Sequence, residues 1–397
     1  MVLQNKALKK LHIDHDWSYN LSDTAILAWV IRHGHTLQEL SIYERDTEDP
    51  LSDEGSSRLI HISKHAEALV SLVLEGEGIL LRSPRSMYRM HHLERLELKD
   101  VSFETSTSSP ISQIIAACQG LRHLALESIQ SSSATPLVIE SCPLLETLSF
   151  ECLTGCSEIT VNAPMLREFL VQQPDTAMET LSLRAVTLVL GGNLRRLALR
   201  LNTGVAVTVP VQPHLVHLLA HGISWSVIQP LLQGSEGGVR LLEFGVAGWH
   251  DPDTWEDTSF TVEGLEFLAR CTPMLEELMI GSGIGNRLRT LAAQAQAAGR
   301  GGDGDSLLKQ SMYPSSYWEH LSHLRLHMSG TPGDLLLQLL EDILLVAPSL
   351  STLCVGSIKR FFTSSQSDYM RQSAEIKFFN GILALQRRYS HATVLVE

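Results

Sequence analysis

Between Cys142 and Leu170 the chain reads CPLLETLSFECLTGCSEITVNAPMLREFL and states nearly the same phrase twice. Cys-Pro-Leu-Leu-Glu-Thr-Leu occupies 142–148, and Ala-Pro-Met-Leu-Arg-Glu-Phe occupies 163–169. Each is a turn followed by L-x-x-L-x-L with conservative replacements. Working outward, the phrase opens as LKKLHI at 8, LQELSI at 37, LVSLVL at 69, LERLEL at 93 and LRHLAL at 121. It continues as LETLSF at 145, LREFLV at 166, METLSL at 178, LRRLAL at 194 and LVHLLA at 215. Looser copies follow as VRLLEF at 239, LEELMI at 275, LSHLRL at 321 and LSTLCV at 350. The last two apolar positions alternate as one face of a short strand requires, and the first apolar residue fills the turn before it. One such unit cannot bury its own apolar face, but stacked neighbours share a continuous core. Leu96, Leu124 and Leu148 are expected to line that core.

The segments between the strands also carry signals. SDTAILAWVIRHGHT offers Ser22 and Asp23 as helix caps and ends near Gly34. SPISQIIAACQG, TPLVIESCP, SFTVEGLEFLARCTP and GTPGDLLLQLLEDILLVAP read as helices that stop at Gly or Pro before a strand. Between 166 and 215 the intervals are too short for good helices. There SEITVNAP, AVTLVLGG and GVAVTVPVQP alternate or run β-branched, which predicts a strand-on-strand section near 157–220. On this reading the stretch 142–170 is where helical returns give way to extended ones.

This pattern resembles the leucine-rich repeat, and the expected fold is a single α/β solenoid, or horseshoe, over 1–397 with a flexible insertion near 299–312. CQGLRHLAL, CPLLETLSF, CTPMLEELMI, NAPMLREFL and VAPSLSTLCV are similar to the repeat regions of plant F-box/leucine-rich-repeat proteins. That resemblance implies a non-enzymatic array holding a substrate for ubiquitination, with a Skp1-type adaptor bound through an F-box. The first phrase begins at Leu8, which leaves no room for an F-box ahead of it. The positions that carry Asn in standard repeats hold Val101, Ile129 and Leu153. An adaptor or scaffold array without a ligase link is the alternative within the same class.

Composition narrows the partners. The 397 residues are 44% hydrophobic with a formal net charge of −13, which argues against a broad phosphate-binding surface and hence against nucleic acid. The six Cys, at 118, 142, 152, 156, 271 and 354, include no C-x-x-C pair. They do not form a disulfide framework on spacing, and Cys118, Cys142 and Cys271 read as small buried hydrophobes at helix ends. MVLQNKALKKLHID lacks the apolar stretch of a signal peptide, and DLLLQLLEDILLVAP is broken by Asp334, Gln338, Glu341 and Asp342. A cytoplasmic or nuclear protein with no membrane partner is expected.

Motifs for chemistry fall short of their requirements. Gly281, Gly283 and Gly285 lie between a predicted strand and helix, but a dinucleotide loop needs Gly where Asn286 stands. A cryptic nucleotide-binding or hydrolase site around 281–334 is the reading from a different class. GRGGDGD at 299–305 lacks the completing Glu of a calcium loop, and Cys152, Cys156 and His123 fit no zinc spacing. No catalytic, cofactor or metal residue is expected.

The informative positions are those between the strand leucines, which face away from the core. The N-terminal strands carry Glu39, Tyr43, Glu75, Arg95, Glu97, Lys99, His123, Glu127, Glu151 and Glu168 there, an acidic majority. Arg184, Arg196, Arg200, His217 and His221 follow, and then His323, Arg325 and His327. Acidic then basic residues on a concave face suit a protein or peptide partner. Arg184, Arg196 and Arg200 are expected on neighbouring strands, with His217 and His221 extending the cluster.

Overall fold

Many strands of the phrase begin at a tight turn closed by the same backbone hydrogen bond. In the computed structural model Leu37, Leu69, Leu93, Leu121, Leu145 and Leu166 each donate a backbone N–H to the carbonyl three residues back, at 3.0–3.3 Å. All six leucines are buried. The structure describes residues 8–15, 23–44, 65–76, 80–82, 90–104, 110–140, 142–173, 183–190, 193–202, 204–235, 237–245, 267–268, 270–280, 318–327, 337, 340–341, 344, 347–356 and 368–396. The chain divides into two compact units, Met1–Gln212 and Pro213–Glu397.

In the first unit eight parallel strands stand side by side. They are β1 (Lys10–His15), β2 (Glu39–Glu44), β3 (Ser71–Glu75), β5 (Arg95–Lys99), β7 (His123–Glu127), β9 (Thr147–Glu151), β11 (Glu168–Gln172) and β13 (Arg196–Arg200). A second parallel sheet takes the remaining strands in the order β14, β12, β10, β8, β6, β4. These are β4 (Leu80–Arg82), β6 (Ser102–Glu104), β8 (Gln130–Ile139), β10 (Thr154–Asn162), β12 (Ala185–Leu190) and β14 (Ala206–Thr208). The helices α1 (Asp23–His33) and α2 (Pro110–Ala117) and a short 3-10 helix, Gly34–Thr36, complete the described elements. Proline at the first position of α2 is suited to that place, because no intrahelical partner exists for its missing N–H.

Register explains the core. Leu40, Leu72, Leu96, Leu124, Leu148, Phe169 and Leu197 are successive cross-strand partners, and each is at most 2% exposed. Leu96, Leu124 and Leu148 therefore line one core, as the spacing requires. Where two aromatic rings meet in adjacent layers, Phe150 and Phe169 pack edge to face at 6.4 Å. From the second sheet Leu137, Ile139, Ile159, Val161, Val186 and Leu188 are buried.

Several expectations about the returning segments are corrected. TPLVIESCP is not a helix: its apolar residues lie in β8, which pairs with β10. Short apolar runs fit either structure, and here β-branched Val138 and Ile139 favour the strand. Extended returns begin at β4, well before residue 157, so the strand-on-strand section is longer than 157–220. SEITVNAP, AVTLVLGG and GVAVTVPVQP do supply β10, β12 and β14. The phrase METLSL falls largely at 178–182, outside the described residues, and β11 pairs directly with β13.

The second unit repeats the parallel arrangement with β15 (His217–His221), β16 (Leu241–Gly245), β17 (Glu277–Ile280), β18 (His323–His327), β19 (Thr352–Gly356) and β20 (Thr393–Val396). The sequence pattern gave no sign of β20, because Ala392 stands in its turn where the other strands have a larger residue; Ala392 donates to the Tyr389 carbonyl at 3.1 Å. Helices α3 (Trp225–Gly234) and α4 (Asp368–Arg388) belong to this unit. Parts of the helices expected over SFTVEGLEFLARCTP and DLLLQLLEDILLVAP are described, at 267–268, 270–271, 337, 340–341 and 344. The glycine motif at 281–286 and the segment 299–312 lie outside the described residues. No helix among the described residues is long and apolar enough to cross a membrane.

Candidate interaction face

Alternation fixes which side chains the main sheet of the first unit presents outward. On β5, β7 and β11 the first position is exposed and the third and fifth are half-buried, while the second and fourth enter the core. Parallel register lines the outward residues into rows. One row runs Lys10, Glu39, Ser71, Arg95, His123, Thr147, Glu168, Arg196, and another runs Asp14, Tyr43, Glu75, Lys99, Glu127, Glu151, Gln172, Arg200.

The N-terminal part of this face is mixed in charge rather than uniformly acidic. Lys10 meets Glu39 at 2.7 Å and Arg95 meets Glu97 at 2.6 Å. Lys99 lies between Glu75 at 3.7 Å and Glu127 at 3.1 Å. The hydrogen bond and charge of Glu127, then the charges of Glu75 and Asp100, raise the Lys99 pKa above the ordinary lysine value. Acidic excess resumes at Glu127 and Glu151, which are direct register partners.

A further row escaped the sequence reading. The residue just ahead of each strand accepts two backbone bonds from the next strand's start, so Gln38, Val70, Glu94, Arg122, Glu146 and Arg167 stack through their carbonyls. Their side chains alternate in charge toward the C-terminal end: Arg122 reaches Glu94 at 3.9 Å and Glu146 at 2.6 Å, and Arg167 reaches Glu146 at 3.5 Å. Pairs this exposed contribute about 0–1 kcal/mol each, but they hold their guanidiniums in register. The partners are 21–28 residues apart at unequal intervals, so no fixed spacing in the sequence marks them.

Arg195 continues this row beyond Arg167, with its N–H bonded to the Arg167 carbonyl at 2.8 Å. Arg195, Arg196 and Arg200 are all exposed, and Arg196 approaches Glu168 only to 4.0 Å. The structure thus brings Arg196 and Arg200 together on β13 and adds Arg195. Arg184 is a correction. It is exposed, but it precedes β12 in the second sheet, where its N–H bonds to the Ser157 carbonyl. It does not neighbour β13, because the short interval between the two phrases is a crossing between sheets.

The remaining expected residues lie in the second unit. His217 is exposed, and His221 Nε2 is 2.8 Å from Glu243 Oε1. That contact is an ion pair only when the imidazole is protonated. His323 Nδ1 shares a 2.8 Å hydrogen bond with the Ser322 hydroxyl, Arg325 follows on the same face, and His327 ends the strand. β16 and β17 separate β15 from β18, so the two histidine groups stand about 14 Å apart and do not form one patch.

Among the described residues no group of three or more His, Cys, Asp or Glu side chains is placed to hold a metal ion. His123 stands in the main sheet, whereas Cys156 pairs with Thr135 in the second. Cys118 and Cys142 are buried, as expected of core residues, while Cys271 is half-buried. Burial pushes the Cys118 thiol up to about 12, with Cys142 beside it adding to the effect, and burial pushes Cys142 to about 11. Only the thiolate is nucleophilic, so at pH 8 about one part in a thousand or less of either group is reactive. Iodoacetamide at pH 8 should therefore leave both unmodified in the folded protein and label them once it is denatured. Peptide mapping checks this, and full labelling of the native protein would contradict their burial.

No family model matches the chain, and no curated protein matches it. The functional reading rests on the residues and their geometry.

Proposed function

We propose that the chain is a non-enzymatic, leucine-rich-repeat-like interaction module whose outward sheet face holds a protein or peptide partner. The observation that carries this reading is the trio Arg195, Arg196 and Arg200, exposed together on and beside β13 with Glu168 no closer than 4.0 Å to Arg196. Guanidinium groups in fixed register favour paired, charge-assisted hydrogen bonds to carboxylates. An acidic segment of the partner is the matching chemistry. The role of substrate-recognition array in a ubiquitin ligase is the form of this function that the F-box/leucine-rich-repeat resemblance supports.

The test replaces Arg196 and Arg200 together by Ser. Both side chains are exposed, so thermal stability should stay within about 0.5 kcal/mol of the parent. Recovery of partner proteins from cell extract should fall, and its sensitivity to added salt should fall with it. Recovery of the same proteins at every salt concentration by both forms would overturn the reading.

A further inference from the structure

In the first unit the alternating row ahead of the strands breaks its pattern at its C-terminal end. Glu94, Arg122, Glu146 and Arg167 alternate in sign, and Arg195 stands where the next acid would. The register of Glu168 with Arg196 puts Arg167 and Arg195 side by side, about 5 Å apart across the sheet. Like charges placed directly opposite each other are destabilising. The carboxylates within reach are already shared. Arg122 and Arg167 both hold Glu146, at 2.6 and 3.5 Å, and Glu168 lies 4.0 Å from Arg196. Among the described residues no carboxylate pairs with Arg195.

Beside these arginines the turns present apolar side chains that the fold does not require. In the turns that open β9 and β11, Pro143 and Pro164 follow the accepting carbonyl. Leu144 and Met165 come next, 43% and 41% exposed. Proline presets the turn there, so little backbone ordering is left to oppose binding. Elsewhere in this unit the residue ahead of the turn leucine is Thr36, Ala68, His92, Gly120 or Asn193, none of them large and apolar. Leu144 and Met165 sit on adjacent turns, two residues ahead of Glu146 and Arg167. Apolar and cationic groups therefore form one surface. At its other border the exposed Glu140 follows β8 of the second sheet, so the positive excess lies on the main-sheet side.

We infer that this turn edge and the adjoining Arg167 and Arg195 form a docking site for a partner segment carrying Asp or Glu with a large apolar residue two or three positions away. The inference rests on the proposed role of the sheet face and adds an apolar determinant to it. Charge complementarity selects the occupant: a carboxylate between Arg167 and Arg195 supplies the acid that the alternation lacks, whereas a basic segment would add like charge. Met165 and Arg195 are one strand and two residues apart, about 8 Å, which two or three extended residues span.

The experiment titrates the full chain into a fluorescent peptide that carries Glu-Glu with Leu two residues to either side, read by anisotropy. Companion peptides have Ala for Leu, Gln for Glu, or phosphoserine for Glu, and sedimentation of the protein alone completes the set. The parent peptide should bind most tightly. Leu144→Ser and Met165→Ser should each weaken it about fivefold and leave the Ala peptide unchanged, while Arg195→Ser should weaken both about tenfold. Met274→Ser is the control and should change nothing. Met274 is 41% exposed after Pro273, but there Arg240 is paired with Glu276 at 3.3 Å. All four positions are exposed, so unchanged melting curves separate lost docking from lost folding. Equal affinity for the Leu and Ala peptides would overturn this inference and leave the acidic-partner reading standing. Equal affinity for the Glu and Gln peptides, or none for either, would overturn both. Tighter binding of the phosphoserine peptide, or self-association abolished by Met165→Ser, would assign the surface to another occupant and overturn the inference.

Discussion

Leu124→Ala should destabilise the first unit by about 2–5 kcal/mol, the cost of removing a buried leucine and leaving a cavity behind it. Leu124 is 1% exposed and stands between its register partners Leu96 and Leu148. The cavity would open within a ladder of seven apolar side chains, each packed on the next strand. Collapse around it is limited, because the strands are held at backbone hydrogen-bonding distance on both sides. The midpoint of denaturant unfolding should fall with little change in slope. An unchanged midpoint would mean that Leu124 does not lie in the core.

Gly120→Ala should cost about 1–3 kcal/mol through overpacking. A Cβ on Gly120 would sit 2.8 Å from the backbone carbonyl oxygen of His91, in the turn that leads into β5. The obstructing atom is backbone, so no rotamer change relieves the clash; the two turns must move apart. That movement strains the paired bonds from Arg122 and His123 to the Glu94 carbonyl, both 2.8 Å long. Gln119→Ala is the control, because Gln119 is exposed beside it. Equal melting temperatures for the two variants would show that the turns are not in close contact.

The main sheet was legible because burial writes it in leucine. Leu93, Leu96 and Leu98 are all buried, and the same spacing recurs ahead of most strands of that sheet. The returning segments were less legible, since they are short and the second sheet tolerates several kinds of residue. TPLVIESCP ended in the Cys-Pro stop that also follows helices, and an apolar run of four residues has no period to separate helix from strand. METLSL matched the phrase, yet β11 pairs directly with β13, so the motif alone was not sufficient. That one mismatch moved Arg184 out of the expected cluster.

The candidate face was legible in part for a related reason. Which residues point outward follows from alternation, and Arg196 and Arg200 were found that way. What lies beside them depends on which strands pair, and on intervals that vary. Arg195 and the alternating row of Glu94, Arg122, Glu146 and Arg167 became visible only once the register was known. Backbone geometry was likewise hidden: Asp100, Ser128 and Cys152 follow successive strands with φ of 53°, 52° and 53°. None of them is the glycine or asparagine that usually marks such a turn.

Everything proposed for the face depends on the parallel register of neighbouring strands, and a cross-link tests it most directly. His123 and Thr147 are direct partners on β7 and β9, within the roughly 7 Å that a disulfide can span between Cα atoms. The account predicts that a His123→Cys, Thr147→Cys double variant forms the 123–147 disulfide on mild oxidation, identified by peptide mapping. Cysteines at His123 and Ser149, two residues out of register and about 8 Å apart, should link poorly. Efficient 123–149 linkage, or failure of 123–147 to link in the folded protein, would contradict it.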